Sequence, residues 1–201
     1  MARVSPEEFP DPVADSTLAT TAGQSRAILA GGCFWCVEAV YKNLDGVSSV
    51  NSGYAGGSAD TADYETVSTG TTDHAESVEV VYDPSRISYG QILKVFFAIA
   101  HDPTELNRQG PDEGTQYRSV IFYSSPEQKQ VAEAYIRQLN QAKVFRRPIV
   151  TQLTELNGFY PAEPDHQDFI ARNPRYPYVV YNDLPKLEQL QRKYPELVKS
   201  H

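Results

Sequence analysis

Apolar and polar positions follow two patterns along the chain, one typical of strands and one typical of helices. Short apolar runs and apolar–polar alternation predict five strands, at residues 26–30, 47–54, 77–82, 117–123 and 149–156. Apolar residues at helical spacing predict four helices, which begin near Cys33, Ser88, Ser125 and Pro185. Because strands and helices interleave irregularly and several connections are long, we expect an α+β fold with a mixed sheet and helices packed on it.

Two of the predicted helices carry capping signals. Ser88 is expected to cap the helix that follows it. Ser125 precedes a proline at the first helical position, and Gln128 stands three residues on, a pattern typical of a helix start. We expect that helix to reach about Lys143. By contrast, residues 104–115 are polar and contain two glycines and a proline, so they are predicted to form a loop.

The length of 201 residues, with 40% hydrophobic residues, suits one domain with a sizeable apolar core. Residues 1–25 are rich in Pro, Ser, Thr, Ala and acidic side chains, and we expect an N-terminal arm that is flexible or wraps the domain. This arm lacks a basic start followed by an apolar run, so it does not resemble a secretory signal. Residues 26–201 are predicted to form a single domain that includes a C-terminal helical tail.

The charge balance excludes some classes of partner. The chain has 18 basic and 26 acidic residues, a net charge of −8, and no basic run. This argues against nucleic acid or an anionic membrane as the main partner. No apolar stretch approaches the ~20 residues that span a bilayer. We expect a cytoplasmic monomer, and in a reducing compartment a close cysteine pair is more often catalytic or metal-binding than structural.

The strongest chemical signal is the segment GGCFWC at residues 31–36, which contains both cysteines and the only tryptophan. It follows a predicted strand and opens a predicted helix. Unpaired backbone N–H groups and the helix dipole at that position favour a Cys33 thiolate. Cys36 lies one helical turn further on the same face, so the two sulfurs can close a disulfide.

Three interpretations of this pair stay open on local grounds. The cysteines are buried small residues at the start of a core helix. Alternatively they bind a metal with His74 or His101, although structural zinc sites usually have a second Cys or His pair at short spacing. The third interpretation is thiol redox chemistry, in which Phe34 and Trp35 line a pocket for an apolar group.

Motifs spread along the chain resemble those of the peptide methionine sulfoxide reductase A family, which is specific for the S epimer at sulfur. The segment GCFW at residues 32–35 resembles the active-site signature of that family. Further matches are GYAGG at 53–57, YETV at 64–67, HAE at 74–76, VVYDP at 80–84, HDPT at 101–104, QGPDEGTQYRS at 109–119, FYPAE at 159–163 and HQ at 166–167. The likeness covers roughly residues 26–181, most of the chain.

The resemblance implies a thiol-dependent oxidoreductase with a two-layer ferredoxin-like core and long wrapping coil segments. Its reaction would reduce methionine-S-sulfoxide, free or in proteins, to methionine, which repairs oxidative damage. Cys33 matches the family nucleophile and would become a sulfenic acid. Glu76 matches the family acid, although the sequence alone would favour a solvated charge beside a strand. No metal, flavin or nucleotide cofactor is implied.

The resemblance also assigns five substrate-binding residues. Tyr64 and Tyr117 match tyrosines whose hydroxyl groups bind the sulfoxide oxygen. Asp112 matches a carboxylate that helps position substrate or water. Phe34 and Trp35 match a pocket for the substrate methyl group. A methyl slot beside a polar oxygen site selects one epimer, because the other epimer would leave polar groups unpaired.

The chain departs from the family at two places. Many members regenerate the nucleophile with cysteines in a C-terminal tail, but this chain has no cysteine after Cys36. We therefore expect a Cys33–Cys36 disulfide that thioredoxin or another dithiol reduces, with direct reduction by an external thiol as the alternative. Many members also have glycine where this chain has Asp73, whose charge would raise the pKa of Glu76 if it pointed inward.

Three histidines stand in family-like motifs, His74, His101 and His166, and we interpret them as structural hydrogen-bonding residues. Two other functions remain as alternatives. One is a thioredoxin-like disulfide oxidoreductase, which would use the same cysteine pair on protein disulfides. The other is a zinc-stabilised interaction module, which would not be an enzyme.

Overall fold

The computed structural model describes residues 9–200, whose centre is a six-stranded sheet. The elements of the first half are β1 (Ser25–Gly31), α1 (Phe34–Lys42), β2 (Val47–Ala55), α2 (Tyr64–Ser68), β3 (Ala75–Tyr82) and α3 (Tyr89–Val95). Those of the second half are β4 (Arg108–Gln109), β5 (Asp112–Glu113), β6 (Ser119–Tyr123), α4 (Pro126–Gln141), β7 (Gln152–Glu155), β8 (Phe159–Pro161), α5 (Phe169–Arg172) and α6 (Leu184–Lys193).

The strand order of the large sheet is β7-β6-β1-β3-β2-β8, and β4 and β5 form a separate two-stranded ribbon. All neighbours in the large sheet are antiparallel except β6 and β7, which are parallel. The four inner strands, with α1 and α3 as crossovers, follow the βαββαβ order of a ferredoxin-like core. The predicted α+β class with a mixed sheet is confirmed.

The two faces of the sheet bury different sets of side chains, as the alternation of β1 requires. Ala27 and Leu29 point into the large core beneath α1, α3 and α4. Ile28 and Ala30 point to a smaller cluster on the opposite face, where Phe122 is also buried. β1 is therefore buried on both faces, as its continuous apolar run predicts, and it pairs with β3 and β6.

The predicted helix starts are confirmed. Ser88 caps α3 by accepting a hydrogen bond from the Gln91 backbone N–H, and the Gln91 side chain accepts one from the Ser88 backbone N–H, which completes a capping box. Ser125 caps α4 by accepting a hydrogen bond from the Gln128 backbone N–H, 3.2 Å away. This helix stops at Gln141 rather than at about residue 143, because Lys143 adopts a left-handed conformation with φ of 51°.

Other boundaries differ from the sequence prediction for local reasons. The strand predicted at 117–123 begins at Ser119, since Thr115–Tyr117 form a 3₁₀ turn. The strand predicted at 149–156 is confined to Gln152–Glu155, where it pairs with β6. The predicted loop at 104–115 contains β4 and β5, whose two-residue strands are too short to show a periodic pattern.

The coil before β1 lies against the helical layer. Phe9 is buried beside the Phe145 ring, at 6.1 Å between centroids. The Tyr135 hydroxyl donates to the Pro10 carbonyl at 2.7 Å. Further along, the Asp15 carboxylate accepts hydrogen bonds from the Ser88 hydroxyl at 2.5 Å and the Gly90 backbone N–H at 2.8 Å.

In the described part of the chain, no helix has both the length and the apolar character needed to cross a bilayer.

Asp15→Ala is expected to lower the free energy of unfolding by about 1 kcal/mol, because it removes a second acceptor at the N-terminus of α3. Urea unfolding followed by circular dichroism measures the change. Asp60→Ala, at an exposed position, is the control for loss of one acidic side chain. Equal unfolding midpoints for the Asp15 variant and the wild type would contradict the prediction.

Candidate active site

Cys33 lies in the tight connection between β1 and α1, where it is the N-cap residue of the helix. Gly32 precedes it with φ of +88°, a conformation that side chains other than glycine rarely adopt. A Cβ atom at Gly32 would also lie 2.6 Å from Cγ of Gln109. The glycine thus allows the chain to turn sharply under the 109–119 segment and to present a partly exposed Cys33.

Glu76 is the buried carboxyl group of the site, on β3 and only 2% exposed. Its Oε1 accepts a hydrogen bond from the Phe34 backbone N–H at 3.1 Å. Burial raises the pKa of Glu76 to about 8, the hydrogen bond opposes the rise, and the Asp112 charge adds to it. At neutral pH this carboxyl group is therefore mostly protonated, unlike the solvated charge that the sequence alone favours.

Burial acts against the Cys33 thiolate that the helix N-terminus favours. Burial raises the pKa of the Cys33 thiol well above its ordinary value, and the charges of Glu76 and Asp183 raise it further. The hydrogen bond from the Trp35 backbone N–H lowers it but does not prevail. One reason is that the first free amide of α1, at Phe34, donates to Glu76 instead.

A cavity of about 170 Å³ opens between α1, β3 and the C-terminal segment. Its lining comprises Cys33, Phe34, Trp35, Tyr64, Glu76, Asp112, Tyr117, Tyr176 and Tyr178. All the candidate residues from the sequence line this cavity except Cys36. They come from separate elements: the start of α1, the start of α2, β3, β5 and the 3₁₀ turn before β6.

The apolar wall of the cavity is held by ring stacking around Trp35. Its indole lies flat on the Phe169 ring, with 3.7 Å between centroids and 7° between planes. Tyr176 and Tyr178 meet the indole edge-on. The indole Nε1–H donates to Nδ1 of His166 at 3.2 Å. These contacts fix the indole in one orientation, so the pocket is formed before any ligand enters.

The polar wall is held from behind by Glu163. This carboxylate accepts hydrogen bonds from the Tyr54 hydroxyl at 2.9 Å and from the Tyr64 backbone N–H at 3.0 Å. The His166 ring stacks on Tyr64 at 4.0 Å between centroids. Burial raises the pKa of both Tyr64 and Tyr117, so both phenols keep their protons and can donate hydrogen bonds.

Asp112 closes the cavity on the side of the C-terminal segment. Its Oδ2 accepts a hydrogen bond from the Tyr178 hydroxyl. Burial raises the pKa of Asp112, while the hydrogen bond from Tyr178 and the charge of Lys186 lower it. The tyrosine therefore holds the carboxylate in place as part of the wall.

Cys36 is buried and faces a second cavity of about 120 Å³. Cys33 also lines this cavity, together with Tyr178, Asp183 and Lys186. Burial raises the pKa of the Cys36 thiol to about 12, the charge of Lys186 opposes the rise, and Asp183 adds to it. The two cysteines are free thiols, and Cys33 and Tyr178 line both cavities.

Sequence reasoning missed several residues of these walls. Glu163 lies in the family-like FYPAE motif at residues 159–163, and that motif could have indicated a role for it. Tyr176, Tyr178, Asp183 and Lys186 belong to a Pro- and Tyr-rich segment without periodicity or motif, so nothing in the sequence distinguished them from packing residues.

The remaining histidines form hydrogen bonds away from the cysteines. Nδ1 of His74 accepts from the Gly57 backbone N–H at 3.1 Å, and its Nε2 lies 2.7 Å from the Ser58 carbonyl. The His101 ring nitrogens lie 2.9 Å from the Phe96 carbonyl and 2.7 Å from the Ser119 hydroxyl. Within residues 9–200, no group of three or more His, Cys, Asp or Glu side chains is placed to hold a metal ion.

Asp73 does not account for the raised pKa of Glu76. The carboxylate whose charge raises that pKa is Asp112. Asp73 instead interacts with Arg118, whose guanidinium also donates to the Asp73 carbonyl at 2.8 Å.

Both cysteines are free, and one of them opens onto a pocket that supplies a protonated carboxyl group. The fold and the site therefore define a thiol-dependent oxidoreductase. The sequence model of one family, described as peptide methionine sulfoxide reductase, matches residues 25–197. The chain belongs to this family, and its reaction is the reduction of methionine sulfoxide.

Relatives and solved structures agree with this assignment. The peptide methionine sulfoxide reductase MsrA 2 of Synechocystis sp. is 53% identical over 194 residues, which cover 96% of this chain and 91% of that protein. The MsrA of Thermus thermophilus is 50% identical, over 86% of this chain and 97% of that protein. The structure of methionine sulfoxide reductase A of Corynebacterium diphtheriae has a TM-score of 0.67 at 34% identity, over 83% of this chain and 84% of that one. Reduced Mxr1 from Saccharomyces cerevisiae has a TM-score of 0.65 at 31% identity, over 80% of this chain and 94% of that one.

Glu76→Gln is expected to lower the pKa of the Cys33 thiol, because it removes a negative charge that opposes the thiolate. Thiolate absorbance against pH measures the pKa in a Cys36→Ser background, where Cys33 is the only thiol. Asp73→Asn is the matched control and should leave the titration unchanged. An identical titration in the Glu76 variant would show that the two groups do not interact.

Proposed function

We propose that Cys33 and Glu76 carry out the reduction of methionine-S-sulfoxide, free or in proteins, with Cys36 as the resolving thiol. The observation that carries this proposal is the placement of Glu76. It is a buried carboxyl group with a pKa of about 8, on the same cavity as the Cys33 thiol. A sulfoxide sulfur is a poor electrophile until its oxygen is protonated, and Glu76 supplies that proton at neutral pH.

In this mechanism Glu76 protonates the sulfoxide oxygen while the Tyr64 and Tyr117 hydroxyls donate hydrogen bonds to it. The Cys33 sulfur attacks the substrate sulfur, and the Cys33 thiol proton replaces the one that Glu76 gave. The oxygen is transferred to Cys33 as a sulfenic acid, and methionine leaves. Asp112, held by Tyr178, orients substrate or water beside the tyrosines.

Selection of the S epimer would come from the contrast between the two walls. Phe34 and Trp35 present rings to the substrate methyl group, whereas Tyr64 and Tyr117 present hydroxyls to its oxygen. The opposite epimer would place its oxygen against rings and its methyl group against hydroxyls. Polar groups on both sides would then remain unpaired, at a cost of about 1–3 kcal/mol each.

Regeneration would proceed through Cys36, because the chain contains no third cysteine. The Cys36 sulfur attacks the Cys33 sulfenic acid and forms a Cys33–Cys36 disulfide with release of water. Thioredoxin or another dithiol then reduces that disulfide by thiol–disulfide exchange. A reducing compartment such as the cytoplasm suits this cycle, since both thiols must start reduced.

Glu76→Gln should lower kcat/KM for methionine-S-sulfoxide by about 100- to 10,000-fold, the usual range for loss of a general acid. In the wild type, kcat/KM should fall as pH rises through about 8, because the protonated carboxyl group is lost above its pKa. Steady-state assays across pH test both points. Glu79→Gln, on the same strand and paired with Arg26, is the matched control. Wild-type activity in the Glu76 variant would refute the acid role.

Cys36→Ser should release about one methionine per chain in a single turnover without reductant, yet lose thioredoxin-dependent turnover, since Cys33 sulfenic acid has no internal thiol to attack it. Thiol labelling and peptide mass mapping follow both cysteines. The wild type should show a Cys33–Cys36 linkage under the same conditions. If Cys36→Ser keeps full thioredoxin-dependent turnover, an external thiol reduces the sulfenic acid directly.

A further inference from the structure

Asp183 is a buried acidic residue outside the cavity in which the sulfoxide is reduced. It ends a π-helical turn, Val179–Asp183, and is the N-cap residue of α6. Aspartate at an N-cap ordinarily accepts a hydrogen bond from the first helical turn. The Asp183 side chain makes no such capping bond, although it is only 1% exposed. The ordinary structural reason for an aspartate at this position therefore does not apply.

The Asp183 carboxylate faces the cavity that it shares with both cysteines and Lys186. A hydrogen-bonding interaction with the Cys36 thiol affects the pKa of both groups. Its Oδ2 has no hydrogen-bond partner among the described residues. A buried carboxylate oxygen without a partner is costly, so its position beside a thiol points to a use in chemistry.

We propose that Asp183 is the catalytic base of the resolving step, which accepts the proton of Cys36 as this thiol attacks the Cys33 sulfenic acid. The inference rests on the resolving role of Cys36 proposed above. Cys36 needs such a partner, because a thiol with a pKa of about 12 is almost never a thiolate at neutral pH.

The step balances without an added oxidant or reductant. The S–H bond of Cys36 breaks, and its proton passes to the Asp183 carboxylate. A bond forms between the Cys36 and Cys33 sulfurs while the S–O bond of the sulfenic acid breaks. The departing hydroxide takes the proton from Asp183 and leaves as water, so Asp183 ends the step as a carboxylate. Cys36 is oxidised and Cys33 is reduced from sulfenic acid to disulfide.

The groups around Asp183 suit this exchange. Burial raises the pKa of Asp183 to about 7, the charge of Lys186 and the Cys36 hydrogen bond oppose the rise, and Asp112 adds to it. A base with a pKa near the working pH both accepts and returns a proton readily. Lys186 is held by its hydrogen bond to the Ala100 carbonyl at 3.1 Å, where its charge favours the Cys36 thiolate.

The test separates the two chemical steps in a single turnover without reductant. Asp183→Asn should release methionine at least as fast as the wild type, because Glu76 and the substrate cavity are intact and loss of the Asp183 charge lowers the pKa of the Cys33 thiol. Formation of the Cys33–Cys36 disulfide should slow by about 100-fold or more, the usual range for loss of a general base. The Cys33 sulfenic acid should then accumulate and react with a carbon-acid trapping reagent. Asp45→Asn, an exposed residue paired with Arg86, is the control for an Asp→Asn change.

The pH dependence gives a readout that a structural role would not produce. In the wild type, the rate of disulfide formation should rise as pH increases through about 7, because Asp183 must be ionised to accept a proton. This inflection should vanish in Asp183→Asn and return in Asp183→Glu. If Asp183→Asn unfolds, the wild-type profile and the Asp183→Glu variant still decide the matter.

Disulfide formation at the wild-type rate in folded Asp183→Asn would overturn the assignment of Asp183, as would a wild-type profile without the inflection. These outcomes differ from failure of the proposed function. In that case, wild-type protein would release no methionine, or would release methionine without forming a Cys33–Cys36 linkage.

Discussion

Desolvation of carboxyl groups beside two thiols is the constraint on which this site depends. Burial is the largest cause of the raised pKa values of Glu76, Asp112 and Asp183. Each of these carboxyl groups, when ionised, also opposes ionisation of Cys33. Burial therefore favours the protonated form of each of these groups, and Glu76, with a pKa of about 8, is mostly protonated at neutral pH. This state suits a sulfoxide, whose oxygen must be protonated before a thiol can displace it.

The first turn of α1 shows how the backbone divides its hydrogen bonds between a thiol and a carboxyl group. A helix N-terminus favours any nearby anion, and sequence reasoning assigned that benefit to Cys33. In the structure the Phe34 amide donates to Glu76, and the Trp35 amide interacts with Cys33. Each contact lowers the pKa of its group, but burial raises that pKa by more. The pKa values of both Cys33 and Glu76 therefore stay above their ordinary values. The motif places Cys33 at the start of the helix but does not reveal which group each amide hydrogen-bonds.

The strands and helices that could be predicted are mostly those marked by a local sequence signal, such as an apolar run or a capping residue. The short apolar run at residues 26–30 predicted β1, and Ser88 and Ser125 marked helix starts that the structure confirms. The strands β4 and β5 could not be predicted within the polar segment 104–115, because a two-residue strand is too short to show apolar–polar alternation. Family-like motifs predicted seven lining residues of the substrate cavity, and their roles remain proposals. Local patterns could not find Tyr178 or Asp183, because only tertiary packing carries this segment against Cys36.

The C-terminal segment explains how a chain without a third cysteine can organise a resolving step. Tyr178 lines both cavities, and its hydroxyl donates a hydrogen bond to Asp112. It therefore forms part of the wall between the substrate cavity and the cavity at Cys36. Beyond that wall the segment supplies Asp183 and Lys186, which face Cys36 directly. In the proposed cycle, two carboxyl groups with pKa values of about 8 and about 7 act on different sides of Cys33. Each cavity handles its own proton in that cycle, since Glu76 regains one from Cys33 in the first step and Asp183 accepts one from Cys36 in the second.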